Sequence, residues 1–210
     1  VTVFPSATVN NATLTTCTGV LFNYTPTGSI PSGTTFSWGL PTINGNLSAG
    51  AGGTNANSFS GSLTNSGNAV GTATYFVTPN VPSGCTSAGF TVSVSVFPSA
   101  SINNVTLTTC SGVSFTVPLT GIIPSNTSYT WLAPTVTGGM TGGAPGTAAS
   151  SVTGTLSNTT SIVQTATYFI TPSVTGSCAS AGFTVTVLVS PLARINGITQ
   201  VICRGASINV

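Results

Sequence analysis

The sequence predicts an all-β chain, a tandem array of β-sandwich domains of about 93 residues each. Three observations predict it. The phrase TLTTC-x-G occurs at Thr13 and again at Thr106. Landmarks recur at one fixed spacing: Cys17 and Cys110, Trp38 and Trp131, Tyr75 and Tyr168, Cys85 and Cys178, and Cys110 and Cys203 are each 93 residues apart. Hydrophobic residues alternate with hydroxyl residues at period two, the mark of a half-buried strand.

The repeat divides the 210 residues. Positions 5–97 and 98–190 align without insertion or deletion, and 50 of the 93 pairs are identical. Residues 1–4 read as the end of a preceding copy and 191–210 as the start of a third. A unit of this length is too long for a solenoid repeat and suits an independent domain. No positively charged leader precedes an apolar stretch, so no signal peptide is read. Both ends are expected to be cuts within a longer polypeptide.

Within each unit the strands follow from local pattern. FTVSVSV at 90–96 places Phe90, Val92, Val94 and Val96 on one face, and Phe183, Val185, Val187 and Val189 repeat it. ATYFVTP at 73–79 puts Tyr75 and Val77 together and Phe76 opposite. TFSW at 35–38, VLFNY at 20–24 and FSGSL at 59–63 supply further strands, separated by Gly, Pro and Asn clusters. No amphipathic helix is found. About seven short strands in about 90 residues point to immunoglobulin-like architecture. Trp38, Trp131, Tyr75 and Tyr168 are then core aromatics, with Trp38 and Trp131 on the third strand.

Composition narrows function by exclusion. The chain has no Asp, Glu, His or Lys, and its two charged side chains are Arg194 and Arg204. Nucleic-acid binding needs Lys and Arg to neutralise phosphates, and attraction to anionic membranes needs them too. No apolar run reaches the ~18–20 residues that span a bilayer, so no membrane insertion is expected. General acid–base catalysis lacks His, carboxylates and Lys, and no base is present to activate the many Ser and Thr hydroxyls. The chain is therefore not expected to be an enzyme or to hold a metal or other cofactor.

Five cysteines remain. In an array of small secreted domains they serve as disulfides. One register pairs them within units, Cys17–Cys85 and Cys110–Cys178, leaving Cys203 for a partner elsewhere. The other joins Cys85 to Cys110 and Cys178 to Cys203. The first is expected, because the strand at 90–96 carries the chain about 20 Å away from Cys85 at ~3.3 Å per residue, and disulfides need Cα atoms within about 7 Å. Two Gly-rich loops, 44–57 with Gly45, Gly50 and Gly53, and 137–150 with Gly139, Met140 and Gly143, lack the helix and Lys of a phosphate cradle. They read as surface crossovers, or else as contact loops against a neighbouring chain or ligand.

The ordered phrases TTCSGVSFTV, SYTWLAPTVTGG, VTGTLSNTT, QTATYFITPSVTGSC and FTVTVLVSP resemble the PKD-like and immunoglobulin-like repeats of giant surface proteins in Bacteroidota. The resemblance covers both units and the start of the third. It implies a sandwich fold, an extracellular or cell-surface location, and frequently export by the type IX secretion system. Many such proteins are adhesins, including gliding adhesins. The carboxylates of calcium sites are absent here and are not carried over.

Together these expectations describe a spacer in the stalk of an extracellular adhesin or filament, its partners being neighbouring repeats of the same chain. Two alternatives stand beside it. Uncharged edge strands lack the usual block to pairing, so several chains could bundle laterally into a homo-oligomeric filament. A hydroxyl-rich face could bind glycans or another surface, and exposure of Phe76 and Phe169 discriminates that case from a spacer.

Overall fold

The computed structural model describes residues 2–193, apart from 83, 175 and 177, together with Arg204. The remaining residues of the expected third copy, Cys203 included, lie outside the described residues.

Each unit is built of strands in two layers around its own core. In the first, the larger sheet runs Ala12–Cys17, Phe90–Phe97, Gly71–Asn80, Thr35–Trp38, Gly53–Ala56, with Thr42–Asn44 also paired to Gly71–Asn80. The second unit repeats the order: Val105–Cys110, Phe183–Ser190, Gln164–Ser173, Ser128–Trp131, Gly146–Ala149, with Thr135–Val136 on Gln164–Ser173. The facing layer is made of short strands. Phe22–Tyr24 pairs with Phe59–Gly61, and Leu47–Ala49 with Leu63–Asn65. In the second unit Ser114–Thr116, Thr153–Ser157 and Thr141–Gly142 form one three-stranded sheet.

The alternation predicted for the last strand is realised residue by residue. Phe90, Val92, Val94 and Val96 are buried, and their neighbours are half-buried. β-branched Val and Thr suit such a pleated surface because their stiff side chains pack well on it. Tyr75 and Val77 are buried and Phe76 faces out, as the pattern required. Trp38 and Trp131 also lie in the cores. Each indole donates to a backbone carbonyl, Trp38 to Ala51 at 3.2 Å and Trp131 to Ala144 at 3.1 Å, which satisfies the polar end of a buried ring.

A two-residue strand opens each unit, Thr8–Val9 on Gly28–Ser29 and Ser101–Ile102 on Gly121–Ile122, and the first long strand then runs parallel to the last. Ala12 is level with Val92 and Cys17 with Phe97, while in the second unit Val105 is level with Val185 and Cys110 with Ser190. The Asn11 side-chain oxygen accepts the Thr91 N–H at 2.7 Å, and Asn104 does the same for Thr184 at 2.8 Å, fixing where the parallel pair starts.

A buried asparagine closes the opposite end of each unit. Asn65 Nδ2 donates to the carbonyls of Ala69 and Val96 at 2.9 and 2.8 Å, and its oxygen accepts the Gly67 N–H at 2.9 Å. Asn158 does likewise with Ile162, Val189 and Thr160. Each ties the turn before the long central strand to the end of the last strand, using most of its amide's capacity.

Candidate functional site: the junction between units

The parallel first strand decides where the cysteines go. It climbs alongside the last strand and finishes level with Phe97, so Cys17 lies at the far end of its unit. Cys85 precedes Phe90 at the near end. The strand Phe90–Phe97 is eight residues long, and its span separates the two ends by roughly 23 Å at ~3.3 Å per residue step, beyond disulfide reach. The expected pairs Cys17–Cys85 and Cys110–Cys178 are therefore not formed. Cys17 is bonded instead to Cys178 of the second unit, across 161 residues, with Cα atoms 5.5 Å apart. Cys85 and Cys110 are free thiols.

This bond is the centre of a compact junction around Phe97. The Phe97 carbonyl accepts the Thr18 N–H at 2.9 Å, and Cys178 Sγ lies 3.9 Å from the same oxygen. Pro98 follows and fixes its own φ. Ala100 is buried, and its N–H donates to Ser180 Oγ at 2.9 Å, two residues past Cys178. Gly176 adopts φ +92° with its Cα against the Phe97 ring, where an added Cβ would come 2.8 Å from the ring. Glycine tolerates both that backbone and that approach. Val70, Phe97, Pro98, Pro124, Asn126 and Val174 bound a small cleft of about 150 Å³ between the units.

The Gly-rich loops prove to serve the core. Gly53 and Gly146 lie under the Trp38 and Trp131 rings, where a Cβ would collide with the indole. Gly50 and Gly143 have positive φ and lie beside the Tyr75 and Tyr168 hydroxyls. Met140 is only 4% exposed and packs into the second core, so it is no contact residue. It sits there with Val152, which stands where the first unit has the larger Phe59. Gly45 and Gly139 alone of the named loop residues are on the surface. The constant 15-residue step from each Trp to its Gly was the sequence signal for this packing.

Phe76 and Phe169 are 65% and 66% exposed. Each ring rests on the glycine that immediately precedes the adjacent strand, Gly89 or Gly182, leaving no room there for a Cβ. Among the described residues, no group of three or more His, Cys, Asp or Glu could hold a metal ion, and no helix is long and apolar enough to cross a membrane.

Two immunoglobulin-like β-sandwiches in tandem, joined covalently at a short ordered junction, define a multidomain repeat protein. The PKD-like domain family matches residues 14–100 and again 107–193, and the chain belongs to that family. No curated protein matches it. Among solved structures it is similar to a three-immunoglobulin-domain fragment of titin, I67–I69 in an E-to-A mutated variant, at 8% identity and TM-score 0.38, covering 88% of this chain and 64% of that one. It is similar also to the four N-terminal immunoglobulin domains of Dscam1 isoform 1.9, at 10% identity and TM-score 0.34, covering 86% and 43%. A third is Drosophila N-cadherin EC1-3, at 7% identity and TM-score 0.29, covering 86% and 64%. The chain thus spans less than two thirds of each of these fragments, and the likeness is one of fold alone.

Proposed function

We propose that this chain is a load-bearing spacer, a stalk segment of a long extracellular adhesin or surface filament. The observation that carries this is the Cys17–Cys178 bond, which joins the far end of one unit to the near end of the next. A disulfide belongs to an oxidising compartment, and a neutral surface keeps such a stalk indifferent to salt. The resemblance to surface proteins of Bacteroidota suggests attachment or gliding as the setting and type IX secretion as the route. Pro98, the Ala100–Ser180 hydrogen bond and the disulfide together restrict bending at the junction. Small-angle scattering of the oxidised chain should give one sharp maximum dimension, about 60–90 Å for two units of 8–10-residue strands set end to end. A broad distribution of dimensions would refute the stiff spacer.

A second reading rests on the exposed Phe76 and Phe169. Phe76 borders a shallow depression with Ser37, Leu40 and Thr78, and Phe169 one with Leu132, Thr135 and Thr171. An exposed ring flanked by hydroxyls suits stacking against a sugar. Against it stands the glycine under each ring, which gives the Phe a packing role of its own. Glycan-array binding that disappears in Phe76→Ala/Phe169→Ala would establish a binding face; no binding by the parent protein would dismiss it.

A further inference from the structure

The bonded pair and the free thiols occupy equivalent places. Shifted by the 93-residue repeat, Cys17 becomes Cys110 and Cys178 becomes Cys85. The surroundings shift with them. Cys17 is level with Phe97 and Cys110 with Ser190 on the parallel last strand. Thr18 N–H donates to Phe97 and Ser111 N–H to Ser190, both at 2.9 Å, and Gly19 and Gly112 donate to Leu63 and Leu156, both at 2.8 Å. At the near end, Cys178 Sγ lies 3.9 Å from the Phe97 carbonyl and Cys85 Sγ 3.6 Å from the Phe4 carbonyl. Ala100 N–H donates to Ser180 Oγ at 2.9 Å and Ala7 N–H to Ser87 Oγ at 2.8 Å.

Cys85 is thus held as Cys178 is held, with Phe4 standing where Phe97 stands. Cys110 is held as Cys17 is held. What differs is the cover. Cys178 is buried at 4% exposure while Cys85 is half-buried, and Cys17 is half-buried while Cys110 is exposed. Each free thiol is built into half of a junction, uncovered on the side where the adjoining unit sits in the other case.

We propose that Cys85 and Cys110 are the two halves of further inter-unit disulfides, each made with another copy of this unit in the same polypeptide. Cys85 takes the Cys-x-Gly cysteine of a unit before 5–97. Cys110 takes the late cysteine of a unit after 98–190. Every junction of the array is then bonded, and each unit carries one bond forward and one back. In each step two thiols lose two protons and two electrons and one S–S bond forms. The electron acceptor is the disulfide of a thiol–disulfide oxidoreductase, which leaves as the dithiol by exchange through a mixed disulfide.

This proposal rests on the spacer reading, and one experiment separates their failures. The natural full-length protein is isolated with its thiols blocked by alkylation and mapped without reduction. Pepsin is the protease of choice, because this stretch offers trypsin only Arg194 and Arg204. The expected result is Cys85 linked to a peptide carrying a Cys-x-Gly phrase and Cys110 linked to a late-cysteine peptide, with neither alkylated. Recovery of either residue as an alkylated thiol, or of a Cys85–Cys110 link, overturns the proposal. If Cys17–Cys178 is recovered in that same map, the stapled spacer stands without the ladder. If Cys17–Cys178 is missing as well, the junction itself is wrong and both readings fall.

Discussion

Pulled from its two ends, the oxidised chain is expected to show no full unfolding step from either unit. Tension entering at the N-terminus reaches Cys17 and crosses the disulfide to Cys178, so the 161 residues spanned by the bond carry none of it. At ~3.6 Å per residue, a stretch of that length corresponds to about 580 Å of extension withheld. Among the described residues, the strands on the loaded path are Thr8–Val9 and Ala12–Cys17 of unit one and Phe183–Ser190 of unit two. After reduction, or in Cys17→Ser/Cys178→Ser, two unfolding steps should appear, each of about 300 Å for a unit of this size. Single-molecule force spectroscopy reads both states directly. Two full steps from the oxidised chain would show that the bond does not bear the load. In equilibrium denaturation the same double variant should lose ~2–4 kcal/mol, the usual worth of a native disulfide.

The consequence is larger if every junction is bonded. Force leaving Cys17 for Cys178 need travel only 25 residues to Cys203, the next Cys-x-Gly cysteine in sequence. Those residues can stretch to at most about 90 Å, comparable to two folded units. An array wired in this way cannot lengthen much beyond its folded span without breaking covalent bonds. That behaviour differs from a chain of independent sandwiches, in which each domain unfolds and lengthens the tether.

How much of this was legible in the sequence depended on which physical signal carried it. The strand at Phe90–Phe97 and the inward side of Tyr75 were legible because burial of one sheet face imposes period two on the sequence. The unit length was legible because the copies share an uninterrupted register. The disulfide was not. Fixed spacing repeats every cysteine equally, whether bonds form within units or between them. Choosing between the two requires the direction of the first strand relative to the last, and period-two alternation is the same in parallel and antiparallel pairs. The length of the last strand separates Cys85 from Cys110. The same length separates Cys85 from Cys17 once the first strand runs parallel. The Asn65 and Asn158 clamps were missed for a related reason. In a chain where Ser, Thr and Asn fill the polar positions, nothing marks one asparagine as buried.

Each unit is also expected to keep the same stability from pH 2 to about pH 9 and to lose it only in alkali. Acid denaturation arises when carboxylates that are ionised in the fold must take up protons, or when buried neutral His must charge. This chain has no Asp, Glu or His side chain to do either. What remains is tyrosine. Burial raises the pKa of Tyr75, Tyr129 and Tyr168 above the ordinary value of 10, because a phenolate is costly to desolvate. A raised value means that the folded state holds the proton more tightly than the unfolded chain. Its contribution is complete below pH 10 and is lost as pH rises through the folded value. Urea midpoints should therefore coincide at pH 2, 5, 7 and 9, with the free thiols alkylated, and fall beyond pH 10. A midpoint that drops below pH 4 would sink this account. Tyr168→Phe supplies the control. The Tyr168 hydroxyl is buried without a hydrogen-bond partner, so removing it should cost nothing or stabilise by up to ~1 kcal/mol, and it should carry the second unit's midpoint further into alkali. The Asn158 clamp and the Trp131 packing contain no ionisable group, so with Cys85 and Cys110 alkylated the alkaline limit of each unit is set by its buried tyrosines.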